Sequence, residues 1–224
     1  MVNNFPVLTK ESINLCESEY KHSTGFSDKT LMELSGFACA KEILNFYGPF
    51  NDDHIVIYAG PGKNGGDGIV TAYFLAPHTK QITICMPVTS SLDFVNENIA
   101  RIKNFCANVT FTSDIVDGDI YIDALFGTGF NQKSGAGFEK IIEHINNQPN
   151  SVISIDLPSG VGIDVDSTSN FGAIKPDLTL AVGCLKSIHK HAKTSTICGN
   201  VVLLDINLPF ILLQKHAENQ KVAC

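Results

Sequence analysis

Short apolar runs recur along this chain at intervals too wide for hairpins, and stretches of helical character fill the gaps. His54-Ile55-Val56-Ile57-Tyr58-Ala59 reads as a short buried strand, and further strands are expected at 81–86, 108–112, 120–122, 151–155, 177–182 and 200–205. Between them, helices are expected at about 67–76, 92–105 and 137–147, with two more, 10–22 and 28–47, ahead of the first strand. In the second of these leading helices Ser27 or Asp28 is the candidate cap, and Leu31, Leu34, Ala38 and Ile43 fall near helical spacing. Strands that are apolar throughout are buried on both faces, which calls for helices on each side of a parallel sheet. The expected architecture is one doubly wound α/β domain spanning 1–224, with a mostly parallel sheet and an N-terminal helical extension. No internal repeat, low-complexity tract or Pro/Gly-rich linker interrupts it.

Composition removes several classes of function. Of 224 residues, 44% are apolar, enough for a sizeable core, and disorder as the main state is excluded. Sixteen basic residues stand against 23 acidic ones, for a net charge of −7, and Arg101 is the single arginine. A broad basic surface for nucleic acid is therefore not expected, and any phosphate must be held locally. The seven cysteines show no CxxC spacing, which predicts buried reduced thiols rather than a zinc or redox pair. Met1-Val2-Asn3-Asn4-Phe5-Pro6 lacks the character of a signal peptide, and no apolar run approaches the roughly 20 residues of a membrane helix. The expectation is a soluble, cytoplasmic protein.

In a doubly wound sheet, ligands bind beyond the carboxyl ends of the strands, near the point where strand order reverses. Three such ends are unusual. Gly60-Pro61-Gly62-Lys63-Asn64-Gly65-Gly66-Asp67-Gly68 follows the first strand. Its glycines let backbone N–H groups approach a phosphate at a helix N-terminus. Gly60, Gly62 and Gly65 satisfy GxGxxG, but the next strand ends at Cys85-Met86-Pro87 without the acid that binds a ribose hydroxyl, and no Walker lysine pattern is present. Lys63, Asn64 and Asp67 are polar groups that a bare turn would not need. Asp123-Ala124-Leu125-Phe126-Gly127-Thr128-Gly129 offers a carboxylate at a strand end and a second N–H-rich loop, although Asp123 could simply cap that turn. Ile155-Asp156-Leu157-Pro158-Ser159-Gly160 again ends an apolar strand on a carboxylate, with a hydroxyl three residues on. A serine triad is disfavoured, because Pro158 breaks the GxSxG elbow and His189 and His191 are expected in a solvated loop.

Together these strand ends resemble the YjeF N-terminal domain family, the NAD(P)H-hydrate epimerases, over most of the chain. Leu31-Met32-Glu33-Leu34-Ser35-Gly36 is similar to the family's N-terminal helix signature, and residues 60–68 to its GPGNNGGDG turn. Phe126-Gly127-Thr128-Gly129 and Asp156-Leu157-Pro158-Ser159-Gly160 match its next two motifs. Lys175-Pro176-Asp177-Leu178-Thr179, then Gly199-Asn200-Val201-Val202 with Asp205-Ile206, are similar to its closing strands. The resemblance implies a Rossmann-like fold and interconversion of the R and S forms of hydrated NADH or NADPH, with a bound potassium ion. It assigns the ion to Asn64, Asp123 and Ser159. It assigns the nucleotide to Lys63, Asn64, Gly65, Gly66, Asp67, Gly127, Thr128, Gly129, Phe130, Asn131, Gln132, Lys133 and Asp156. Lys63 stands where the family more often has Asn and could add a cation beside the phosphates. Lys133 stands in for an Arg without its planar fork. The resemblance further implies a homodimer and a functional partner, a dehydratase often fused downstream, for which the chain after Leu208-Pro209 leaves no room.

The hydroxylated C6 of the substrate is bonded to the ring nitrogen, so protonating the hydroxyl lets water leave while the nitrogen stabilises the cation. Water returning from the opposite face inverts the centre. One carboxyl group that gives and takes a proton suffices; Asp156 is the candidate and Asp67 its rival. Two alternatives compete. One is a non-catalytic binding and dimerisation module like the related domain of enhancer-of-decapping proteins, which would have no reason to keep Asn64, Asp67, Asp123, Asp156 and Ser159 together. The other is a generic dehydrogenase, disfavoured by the missing ribose acid.

Overall fold

A computed structural model describes residues 5–50, 52–129, 137–163, 172–190 and 196–222. The strands are β1 (Val7–Leu8), β2 (His54–Ala59), β3 (Gln81–Cys85), β4 (Val109–Thr112), β5 (Ile120–Ala124), β6 (Ser151–Ile155), β7 (Leu178–Val182), β8 (Leu185–Lys186) and β9 (Asn200–Leu204). The helices are α1 (Lys10–Thr24), α2 (Asp28–Tyr47), α3 (Lys63–Leu75), α4 (Asp93–Phe105), α5 (Glu139–Asn146), α6 (Ser187–Lys190) and α7 (Phe210–Val222).

Seven strands form one sheet in the order β4-β3-β2-β5-β6-β7-β9. Every pairing in it is parallel, with Ile57 opposite Ile84 on one side and Ile122 on the other. The order reverses between β2 and β5, so the crevice beyond their carboxyl ends is the switch point. Ile55, Ile57, Ile82, Ile84 and Ile122 point to the face covered by α2, α3 and α4, where Met32, Ile43, Ile69, Leu75, Val95 and Ile102 complete a core. Val56, Tyr58, Tyr121 and Val152 pack on the other face against Ile141, Ile142 and Ile145 of α5. A third cluster joins Ile13, Cys16 and Tyr20 of α1 to Ile188 of α6 and Leu213 of α7.

The N-terminal segment also carries β1, which pairs in parallel with β8, Leu8 against Lys186. These two-residue strands, with α6 and α7, are absent from the sequence expectation. Two residues are too short to show a period, and the α7 segment lacks a one-sided apolar stripe. Helix α1 extends to Thr24 and ends on Gly25 at φ 76°, and α2 is capped by Ser27, whose hydroxyl accepts from Thr30 N at 3.1 Å.

The largest departure is α3, which starts at Lys63 rather than near 67, so the glycine-rich segment is mostly helix. Glycine is a poor helix former, but here the helix lies too close to its neighbours for a side chain. A Cβ on Gly66 would meet the Met32 side chain and Val95, and one on Gly68 would meet Ala124. Tertiary packing overrides propensity. Strand β5 likewise runs to Ala124, placing Asp123 inside the strand rather than at its end.

Candidate functional site

Beyond β2 and β5 lies a cavity of 420 Å³. Gly62, Lys63, Asn64 and Asp67 of the α3 start line one wall, and Phe126, Gly127, Thr128 and Gly129 another. Asp156 and Lys186 close the floor, and Ile13, Asn14 and Glu17 of α1 reach in from the N-terminal extension. Gly62 is the N-cap of α3 and supplies no side-chain cap, so the first-turn N–H groups are open to an anion. Of the other glycines in that segment, Gly65 and Gly66 are buried in the helix. A Cβ on Gly65 would strike the carbonyl of Gly60. Their absent side chains serve packing first.

Under the pocket sits a closed polar cluster. Asp123, fully buried, accepts at Oδ1 from the Ser159 hydroxyl at 2.5 Å and Leu125 N at 3.2 Å. Its Oδ2 accepts from the Ser154 hydroxyl and Ser159 N, both at 2.8 Å. Ser159 in turn accepts from Phe126 N at 3.0 Å, which ties the loop after β6 to the loop after β5. Burial pushes the Asp123 carboxyl above its ordinary range, and these donors oppose that push. Asn64 lies against Gly127, its Oδ1 3.2 Å from where a Cβ on that glycine would stand, and its buried Nδ2 has no hydrogen-bond partner among the described residues. The chain of contacts Asn64–Gly127–Phe126–Ser159–Asp123 brings together the residues assigned to a cation. The Asn64 amide oxygen, the Asp123 carboxylate and the Ser159 hydroxyl together offer oxygen donors, the type that suits a hard cation.

Asp156 follows β6 at φ 69°, inside a three-residue γ-turn closed by Leu157 N donating to Ile155 O at 2.9 Å. Such a backbone conformation costs energy and persists only where its surroundings enforce it. Its Oδ1 is ion-paired with the buried Lys186 ammonium, and its Oδ2 faces Gly127, 3.1 Å from the position of an added Cβ. Asp67 is half-buried in the same pocket and takes no side-chain hydrogen bond from a described residue. Burial pushes its carboxyl well above the ordinary range, and the neighbouring charges of Asp156 and Glu17 add to the push. The two carboxyl groups therefore differ in kind. Burial disfavours the charged form of Asp67, and Asp156 has a cation beside it.

Lys63 lines the pocket with its ammonium paired to Asp28 at 2.9 Å, and Lys21 holds the same oxygen at 2.8 Å. One expectation changes. His189 is not in a solvated loop. It is buried on α6, with Nε2 donating to Asp156 O at 2.9 Å and Nδ1 accepting from Lys186 N at 3.2 Å. Burial and the Lys186 charge push its pKa down to about 4. Phe130, Asn131, Gln132, Lys133 and His191 lie outside the described residues. Sequence reasoning missed Lys186 and Glu17. The only signal for Lys186 was a lone charge in the apolar run Cys184-Leu185-Lys186-Ser187-Ile188.

Fold and site together define a class: an all-parallel Rossmann-order domain whose switch-point pocket pairs an uncapped helix start with two carboxyl groups. Residues 28–188 match the family described as YjeF-related protein N-terminus, and the chain belongs to that family. The NAD(P)H-hydrate epimerase of Elusimicrobium minutum is 33% identical over 93% of this chain and 98% of its own length. The epimerase of Plasmodium knowlesi is 29% identical over 78% of this chain and 62% of its own. The bifunctional NAD(P)H-hydrate repair enzyme Nnr of Salinibacter ruber is 25% identical, and 95% of this chain spans 43% of that protein. The crystal structure of the yeast protein ynu0 has the same fold, with a TM-score of 0.73 at 22% identity, covering 88% of this chain and 86% of that one. No helix among the described residues is long and apolar enough to cross a membrane.

Proposed function

We propose that this protein is an NAD(P)H-hydrate epimerase, an isomerase that interconverts the R and S forms of hydrated NADH and NADPH within nicotinamide nucleotide repair. The observation that carries the reading is the gathering of Asn64, Asp67, Asp123, Asp156 and Ser159 at one switch point, in a chain with a near-full-length relative named for that activity. A binding module would need the fold but not this set. The phosphates bind at the uncapped start of α3 and the 127–129 loop, and the hydrated ring lies between Asp67 and Asp156.

The different surroundings of the two carboxyls divide the chemistry between them. Asp67, whose burial disfavours its charged form, gives a proton to the C6 hydroxyl and water leaves. Asp156, ion-paired with Lys186, faces the resulting cation and takes the proton of water returning on the opposite face, and exchange with solvent returns both carboxyls to their starting state. This moves the acid from Asp156, the first candidate on sequence grounds, to Asp67. Asn64, Asp123 and Ser159 would hold potassium, which would supply a fixed positive charge beside the loops that bind the phosphates. The partner activity is a dehydratase that consumes one epimer, as the bifunctional names of several relatives suggest. Free thiols at Cys16, Cys39, Cys85, Cys106, Cys184 and Cys198 accord with a reducing compartment such as the cytoplasm. The homodimer that the family resemblance implies is part of the same proposal, and sedimentation equilibrium tests it.

The test mixes the protein with R-form hydrated NADH and a dehydratase specific for the S form. Complete conversion, faster than spontaneous epimerisation, is expected. A conversion that stops at the S fraction would sink the proposal. Asp67→Asn and Asp156→Asn should each slow turnover by about 10² to 10⁴ while NADP binding persists. A variant that loses NADP binding but keeps turnover would make its carboxyl a binding contact rather than a proton-transfer group.

A further inference from the structure

Lys186 is a buried charge whose every donor is accounted for. Its side chain is 2% exposed, and a buried ammonium is tolerated only when its N–H groups are paired. The three go to Asp156 Oδ1, to Val182 O at 2.8 Å and to Cys184 O at 3.0 Å. None is left to hold a substrate. The backbone around it is equally fixed, because β8 is pinned by β1 and Lys186 N donates to His189 Nδ1.

The same contacts immobilise Asp156. Its backbone N donates to Leu180 O at 2.8 Å, and its backbone O accepts from His189 Nε2 at 2.9 Å. Its Oδ1 takes Lys186 and, at 3.4 Å, Val182 N. Oδ2 is the remaining acceptor, and it is the oxygen that faces Gly127 in the pocket. We infer that Lys186 is a positioning residue of the epimerisation, clamping Oδ1 of Asp156 so that Oδ2 alone meets the hydrated ring. The inference rests on the proposed epimerase reading and adds to it a residue that touches no substrate. It also gives the N-terminal strand β1 a part in the site, through the register that seats Lys186.

A double-mutant cycle on kcat tests it, with wild type, Lys186→Met, Asp156→Asn and the double variant in the dehydratase-coupled assay. A group that acts through another adds nothing once the other is gone. Lys186→Met should lower kcat by about tenfold to a hundredfold, the scale of a misplaced catalytic group. KM and NADP affinity should stay within about threefold, and the double variant should match Asp156→Asn within about threefold. A merely structural lysine would give multiplicative losses or a loss of binding, and either result overturns the inference. An unchanged kcat in Lys186→Met overturns it too. Should Lys186→Met fail to fold, the double variant still decides, since both charges are gone from it. A further loss of about tenfold relative to Asp156→Asn would show an independent role. An inactive wild-type chain would instead strike the epimerase reading itself.

Discussion

At the scale of single residues, the site is governed by what stands next to each polar atom. Asp67 and Asp156 are the same side chain in one pocket, but Lys186 ion-pairs only with Asp156, while burial and the charges of Asp156 and Glu17 act on Asp67. Gly127 shows the same sensitivity to a neighbour. A Cβ there would sit 3.1 Å from Asp156 Oδ2 and 3.2 Å from Asn64 Oδ1, crowding both without touching the core. Gly127→Ala should therefore lower epimerisation by about tenfold or more, the cost of misplacing groups at a reacting centre, while the urea midpoint barely moves. Equal activity in that variant would mean that the ring does not pass this point. The identities of both carboxylates were legible in the sequence, Asp156 as a strand-end acid and Asp67 as a polar group inside the glycine-rich turn. Their division of labour was not, because the lysine that separates them lies 30 residues further along the chain.

At the scale of elements, the glycine-rich segment carries two demands on one helix. Gly62 leaves the α3 start open to the pocket, whereas Gly66 and Gly68 let the same helix lie against α2, α4 and the sheet. These roles predict different phenotypes. Gly66→Val would push a branched side chain into Met32 and Val95, and overpacking of this kind costs about 1–3 kcal/mol. Urea unfolding should register that loss at the midpoint, with nucleotide affinity of the folded fraction nearly intact. A variant of full stability with abolished binding would instead make Gly66 a phosphate contact. Helix α3 was misjudged at its start for this reason: propensity counts glycine as a breaker, while close packing requires it.

At the scale of the whole molecule, two linked equilibria should be visible in stability. His189 is held neutral, with both ring nitrogens committed and the Lys186 ammonium nearby. Its folded pKa of about 4 lies below the ordinary 6.5, so the unfolded chain binds the proton first as pH falls. Its contribution is present above about pH 6.5 and lost between there and about pH 4, up to about 3 kcal/mol at 1.4 kcal/mol per unit. Urea midpoints at neutral and mildly acid pH should converge for wild type and His189→Asn toward acid; a constant gap would refute the assignment. Potassium should raise the melting temperature relative to lithium at equal ionic strength, since an ion that binds only the folded state stabilises it by mass action. Asn64→Ala should remove that difference. Identical melting in the two salts would leave the Asp123 cluster as a purely hydrogen-bonded strut.

The layered architecture was determined by sequence alone, because continuous apolar strands separated by helices have few ways to bury both faces. So were the three motif-bearing loops after β2, β5 and β6, since glycine and strand-end carboxylates mark them locally. Only the tertiary structure decided which strands adjoin, and hence that these loops share one crevice. It also decided that Lys63 is tied to Asp28 and that His189 and Lys186 are buried behind Asp156. The reason is one of range. Periodicity and turn chemistry act over a few residues, whereas a charge's partner is set by segments that meet only after the sheet has formed, such as β1 against β8 across most of the chain.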